Sequence, residues 1–141
     1  KVGGSNPPPA TNLSYMQVEI SIGELFDKLT ILEIKMEKIS DSSKLENITK
    51  EWNILNDKSM SILAIYSDQV LFNKVDQLEE VNRQLWNIED WVRDCEKQER
   101  FDKEFVELAR SVYKLNDKRS EIKKAINMLT KSNIIEEKSY S

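Results

Sequence analysis

Apolar residues recur along this chain at alternating three- and four-residue steps, in four separate runs. Ile22, Leu25, Leu29, Leu32, Met36 and Ile39 make the first. Leu45, Ile48, Trp52, Leu55, Ile62 and Tyr66 make the second, with Ser59 filling one step. The third is Leu78, Val81, Leu85, Ile88, Val92 and Cys95. The fourth is Phe101, Phe105, Leu108, Val112, Leu115, Ile122, Ile126 and Leu129, where Arg119 occupies the missing step. A step averaging about 3.5 residues lays such side chains along one stripe of a helix and suits no strand. The pattern predicts an all-α protein, an antiparallel up-down four-helix bundle.

Start signals place the elements. Ser21 and Glu24 have capping-box spacing, with Ile20 and Leu25 at staple positions, so the first helix should cover about residues 22–39. Ser43 and Glu46 repeat that spacing for a second helix reaching about residue 65. Asp68 offers a cap for a long third helix ending near residue 98. Asp102 does the same for a fourth running to about residue 130, with Phe101 and Val106 at staple positions. The connections are short, which makes successive helices antiparallel neighbours and brings both chain ends to one end of the bundle. Val18, Glu19 and Ile20 can then meet residues 133–138 as a two-stranded ribbon or an extended clasp.

Residues 1–15 are unlike the rest. They contain Gly3-Gly4 and the consecutive prolines Pro7, Pro8 and Pro9, with no periodicity. We read them as a non-native or disordered leader, and residues 16–141 as a single helical domain. Gly4-Ser5-Asn6-Pro7 and Ala10-Thr11 are what one frame of the T-loop and CCA end of a transfer-RNA gene encodes, which points to Met16 as the natural start. A vector remnant or a plain disordered tail would look similar.

Composition narrows the chemistry. Lys plus Arg (21) and Asp plus Glu (25) leave a net charge of −4, against the basic excess of a nucleic-acid binder. The absence of histidine removes the commonest general base and metal ligand. Cys95 is the single cysteine, so no intramolecular disulfide can form, and its seam position reads as packing. No apolar run approaches the roughly 18 residues of a membrane span, and no signal-peptide core is present, so a reducing cytoplasm is expected. No cofactor, metal, nucleic acid or membrane partner is expected.

Polar residues interrupt the seams. Arg119 stands on one; Asn82 and Glu89 lie beside the third; Glu33 and Asn116 flank the first and fourth. Helix one also carries Glu24, Asp27, Lys28 and Lys35, and helix four Glu107, Arg110, Tyr113, Lys123 and Asn127. A hairpin of helices three and four turning near residue 100 sets Asn82 opposite 118–119, Arg93 near Glu107, and Glu89 near Arg110. Such groups either fix register as buried polar contacts or line a cavity for a small anion, to which Arg presents a bidentate fork. Lys28, Glu33, Asn82, Glu89, Arg110, Asn116 and Arg119 form the candidate ligand set, with no catalytic residue assigned.

Enzyme templates do not sharpen this. Arg110, Arg119, Lys28 and Glu33 are the residue types of an all-helical chorismate mutase, but any charged bundle offers as much. The carboxylate pattern of helical nucleotide pyrophosphohydrolases fails at Arg83, where an acid is required. No Gly-rich phosphate loop or nucleophile-plus-base signature is present. Trp52 belongs to a seam and should be core. Trp86 and Trp91 lie five apart and cannot both face the core, so one meets solvent or a partner.

Several strings carry a resemblance. The run at 23–35 (G-E-L-F-D-K-L-T-I-L-E-I-K), that at 81–90 (V-N-R-Q-L-W-N-I-E-D), Leu108 to Tyr113, Asn116 to Arg119, and the ending Glu136-Glu137-Lys138-Ser139-Tyr140 resemble an uncharacterised family of small bacterial helical proteins. The resemblance spans residue 16 to the end and implies no activity. It does imply that Asn82, Arg110, Asn116 and the tail matter beyond packing. The first functional reading is an interaction or assembly module acting as a homodimer. The second is binding of, or catalysis on, a small anionic metabolite.

Overall fold

A computed structural model describes residues 14–139; residues 1–13, 140 and 141, and with them most of the proposed leader and Tyr140, lie outside the described residues. The chain is an all-α four-helix bundle: α1 (Ile22–Lys38), α2 (Ser42–Ile65), α3 (Gln69–Lys97) and α4 (Lys103–Leu129). No helix is long and apolar enough to cross a membrane, among the described residues.

Local chemistry sets the ends. Ser21, Asp68 and Asp102 each accept a backbone N–H of the following turn, as their spacing predicts. For α2 the cap is Asp41 rather than Ser43. Asp41 accepts from the Lys44 N–H and from the Ser43 hydroxyl, so the stronger acceptor takes the cap and starts the helix earlier than expected. These two donors hold the Asp41 carboxyl below its ordinary range, the Ser43 hydroxyl first. At the other ends, α3 and α4 both close in Schellman turns. Glu99 (φ 51°) and Lys131 (φ 53°) adopt left-handed backbone, and the N–H groups of Arg100 and Ser132 return to the carbonyls of Cys95 and Asn127.

α1 is the hub, touching the other three helices, whereas α2 lies against α1. Leu25, Leu29 and Leu32 are buried as the seam predicts, and a second stripe on α1, Phe26, Thr30 and Ile34, is buried as well. Phe26 joins Leu71, Leu78, Val81, Ile122 and Ile126 in the core, with Ile62, Leu63 and Tyr66 from the end of α2 packed against them. Because α2 has one helical neighbour, only its Ile48 and Ser59 are buried. Trp52, expected in the core, is half-buried, and its indole N–H donates to Glu33.

The termini meet, though not as a ribbon. Among the described residues there is no strand. The Ser132 hydroxyl instead accepts the Ile22 N–H and donates to the Ile134 carbonyl, and the Ser21 hydroxyl donates to Glu136. The contact is an extended clasp held by side chains, and its hydrogen bonds fall at Ser21 and Ile22, just past the expected Val18 to Ile20.

Candidate functional site

Asp27 sits two turns into α1 and is 1% exposed. Burying a carboxylate is costly unless charge and hydrogen bonds compensate it. Two other helices supply that compensation. Arg119 of α4 grips both Asp27 oxygens, through Nε at 2.9 Å and through Nη2. Asn82 of α3 donates Nδ2 to Asp27 Oδ1 at 3.0 Å and to Thr30 Oγ1 at 2.9 Å. Lys123 adds a more distant charge at 3.9 Å. The Asp27 hydrogen bonds hold the Arg119 guanidinium above its ordinary pKa although burial opposes them.

One turn toward the start of α1, the helices come closer. Gly23 N–H donates to Asn127 Oδ1 at 2.6 Å, and Lys123 Nζ donates to Glu24. Residues 23, 24 and 27 thus meet 127, 123 and 119, so α1 and α4 run in opposite directions here. Glu24 turns to Lys123 and Lys28, so the Ser21 hydroxyl bond to the Glu24 N–H is the half of the capping box recorded here. The first three N–H groups of α1 are thereby taken by side chains of Ser132, Asn127 and Ser21.

Against this junction lies a cavity of about 150 Å³, lined by Asn116, Arg119, Ser120, Lys123, Lys124 and Asn127 of α4 and by Glu136, Glu137 and Lys138 of the tail. Asn127 is 1% exposed. The Gly23 N–H identifies its oxygen, so its amide nitrogen is the opposite end, and that Nδ2 makes no hydrogen bond among the described residues. Asn116 Oδ1 accepts from Arg119, and its Nδ2 and the Ser120 hydroxyl are also without recorded partners among these residues. The cavity therefore presents neutral donors beside cations. This arrangement suits an anion.

The chain belongs to a family of unknown function (DUF6165). The family model matches residues 16–141, which contain every residue of the junction and the cavity. No curated protein matches this DUF6165 chain, and no solved structure does either.

The candidate set divides. Asn82, Asn116 and Arg119 converge at the junction. Lys28 is exposed and pairs with Glu24 at 3.9 Å, outside the cavity. Glu33 is exposed on the α2 side. Glu89 and Arg110 are exposed, and neither Glu89–Arg110 nor Arg93–Glu107 forms an ion pair among the described residues. The long α3–α4 hairpin leaves those positions to solvent, where little is gained by pairing. Asp27, Gly23, Ser120, Lys123, Lys124, Asn127 and Glu136 were missed as site residues. An acid between Phe26 and Leu29 on a mostly apolar helix was the available signal for Asp27. Among the described residues no group of three or more His, Cys, Asp or Glu is placed to hold a metal ion.

Proposed function

We propose that this protein binds a small anionic ligand in the cleft between α4 and the C-terminal tail. The observation that carries this reading is the buried Asn127 amide, whose oxygen is committed to Gly23 and whose nitrogen is left as a free donor on the cavity wall. That nitrogen is not sealed from solvent, so it stands beside Lys123 and Lys124 as a donor that an entering anion can take over from water. The Asp27–Arg119–Asn82 cluster is the frame that orients α4, and Lys124, Ser120, Asn116 and Asn127 are the groups that face the ligand. A reducing cytoplasm suits the buried free thiol of Cys95.

Thermal shift with inorganic phosphate and with a short dicarboxylate tests it. A ligand at about 100 times its Kd stabilises the folded state by about 2.7 kcal/mol, a rise of several degrees. Asn127→Asp keeps the acceptor for Gly23 but replaces the donor by negative charge, and should abolish the rise. Lys124→Gln, at a half-exposed side chain, should weaken binding about tenfold with the fold intact. No rise with either anion, or an equal rise in both variants, would overturn the site.

A second reading, self-association, has its own support. The α3–α4 hairpin beyond Asn82 leaves Leu85, Val92, Phe105, Leu108, Val112 and Leu115 half-buried and Trp91 and Phe101 more than half exposed. Phe101 packs edge-on against Phe105 at 5.3 Å rather than stapling to Val106. Sedimentation should then show a dimer that Trp91→Ala weakens at least tenfold; a monomer at 100 µM would dismiss this reading.

A further inference from the structure

The cavity already contains an anion, supplied by the chain itself. Both carboxylates that line it, Glu136 and Glu137, come from the tail, whereas the charged α4 residues on its wall, Arg119, Lys123 and Lys124, are all cationic. Glu137 accepts from Lys124 at 2.7 Å, and Glu136 lies 3.7 Å from Lys123 and accepts from the Ser21 hydroxyl at 2.8 Å. Glu136 also stands at the start of α1, where the helix dipole favours negative charge. A second cavity shares Ser120, Lys124, Glu136, Glu137 and Lys138 with the first and adds Asp117 and Glu121 of α4 to its lining, so the tail borders open space in both.

The Glu137 end of the tail is held weakly: Lys124 and Glu137 are 49% and 68% exposed, and an ion pair that open to water contributes little. The free Asn127 amide shows that the two carboxylates fill the cleft incompletely. A frame of high cost and low exposure, Asp27 with Arg119, therefore stands beneath an easily lifted cover of the same charge as the expected ligand.

Resting on the anion-site reading above, we infer that Glu136 and Glu137 are an intramolecular stand-in for the ligand, and that the ligand is a compact anion with two adjacent negative groups, such as a diphosphate, which binds by displacing the tail. Two neighbouring glutamates present two charges to Lys123 and Lys124; a diphosphate presents the same pair of charges with more acceptor oxygens and reaches the Asn127 and Ser120 donors. A single phosphate replaces one carboxylate only and competes less well.

Titration calorimetry with inorganic pyrophosphate and inorganic phosphate, on the full chain and on the Glu136→Gln/Glu137→Gln variant, tests this. The variant should bind pyrophosphate about tenfold more tightly than the wild type, and the wild type should prefer pyrophosphate to phosphate. Pyrophosphate should also speed tryptic cleavage after Lys131 in the wild type, because the tail leaves the cleft. Unchanged or weaker binding in the variant, or slower cleavage, would overturn the tail as competitor and leave the anion site standing. Absence of binding to both proteins would overturn the site and the competitor together.

Discussion

Asp27→Ala should cost about 3–5 kcal/mol of folding stability, the range found when one member of a buried ion pair is removed. The substitution strips Arg119 of its carboxylate partner, leaving Asn116 as its acceptor, and takes from Asn82 one of its two acceptors. Arg119 is 29% exposed, so part of its charge can turn toward water, which places the expected value in the lower half of that range. In chemical denaturation the midpoint should fall with an unchanged slope. The double variant Asp27→Leu/Arg119→Met should recover most of the loss, because two apolar groups of similar volume leave no orphaned charge. A loss below 1 kcal/mol for the single variant would mean that Asp27 does not organise the three helices. Recovery of stability in the double variant without recovery of anion binding would separate the frame from the ligand groups.

The same cluster shows what could and could not be read along the chain. Helix limits were legible because they depend on neighbours a few residues away: Ser21, Asp68 and Asp102 cap the turns that immediately follow them. The pairing of Asn82 with Arg119 was legible in half. Hairpin geometry sets them opposite each other, and the structure brings both to one place, but the group between them, Asp27, belongs to a third helix. The rotation of α1 against the hairpin depends on how Phe26 and Ile34 pack, and a single seam along α1 conceals that second stripe. The same hairpin register also set Glu89 opposite Arg110. Those positions lie beyond the part of α3 and α4 that α1 covers, so no burial compels them to pair.

The tail was the least legible part. Its path begins at Lys131, a left-handed residue that is not glycine and so leaves no mark in the sequence. The conformation is imposed by the Schellman bonds of α4, after which Ser132 ties the chain to Ile22. That anchorage delivers Glu136 and Glu137 to the cleft. Read linearly, they are a solvated acidic pair; placed by Ser132, they are the charges nearest Lys123 and Lys124 from outside the bundle.

Gly23→Ala provides the sharpest test of how α1 and α4 are joined, because two effects predict opposite signs. Alanine is the better helix former by about 1 kcal/mol in a helix interior, and less in a first turn, so propensity alone predicts a small gain. The structure predicts a loss. A Cβ at position 23 would stand 2.5 Å from the Lys123 carbonyl oxygen and 2.9 Å from Asn127 Oδ1. The nearer atom is backbone in the middle of a helix and cannot turn aside, so the start of α1 must move away. That movement breaks the Gly23–Asn127 bond and strains the Ile22–Ser132 and Glu24–Lys123 bonds, which join the start of α1 to the end of α4 and the segment after it. Overpacking of this kind costs typically about 1–3 kcal/mol, occasionally more, and here the lost hydrogen bonds add to it. We expect a net loss of about 2–4 kcal/mol and a fall in Tm of roughly 6–15 °C for a domain of this size. Because Asn127 is released, its amide should no longer be held toward the cleft, and phosphate should no longer raise the Tm of the variant. A variant as stable as the wild type would show that α1 does not approach α4 this closely, and the anion site built on that approach would fall with it.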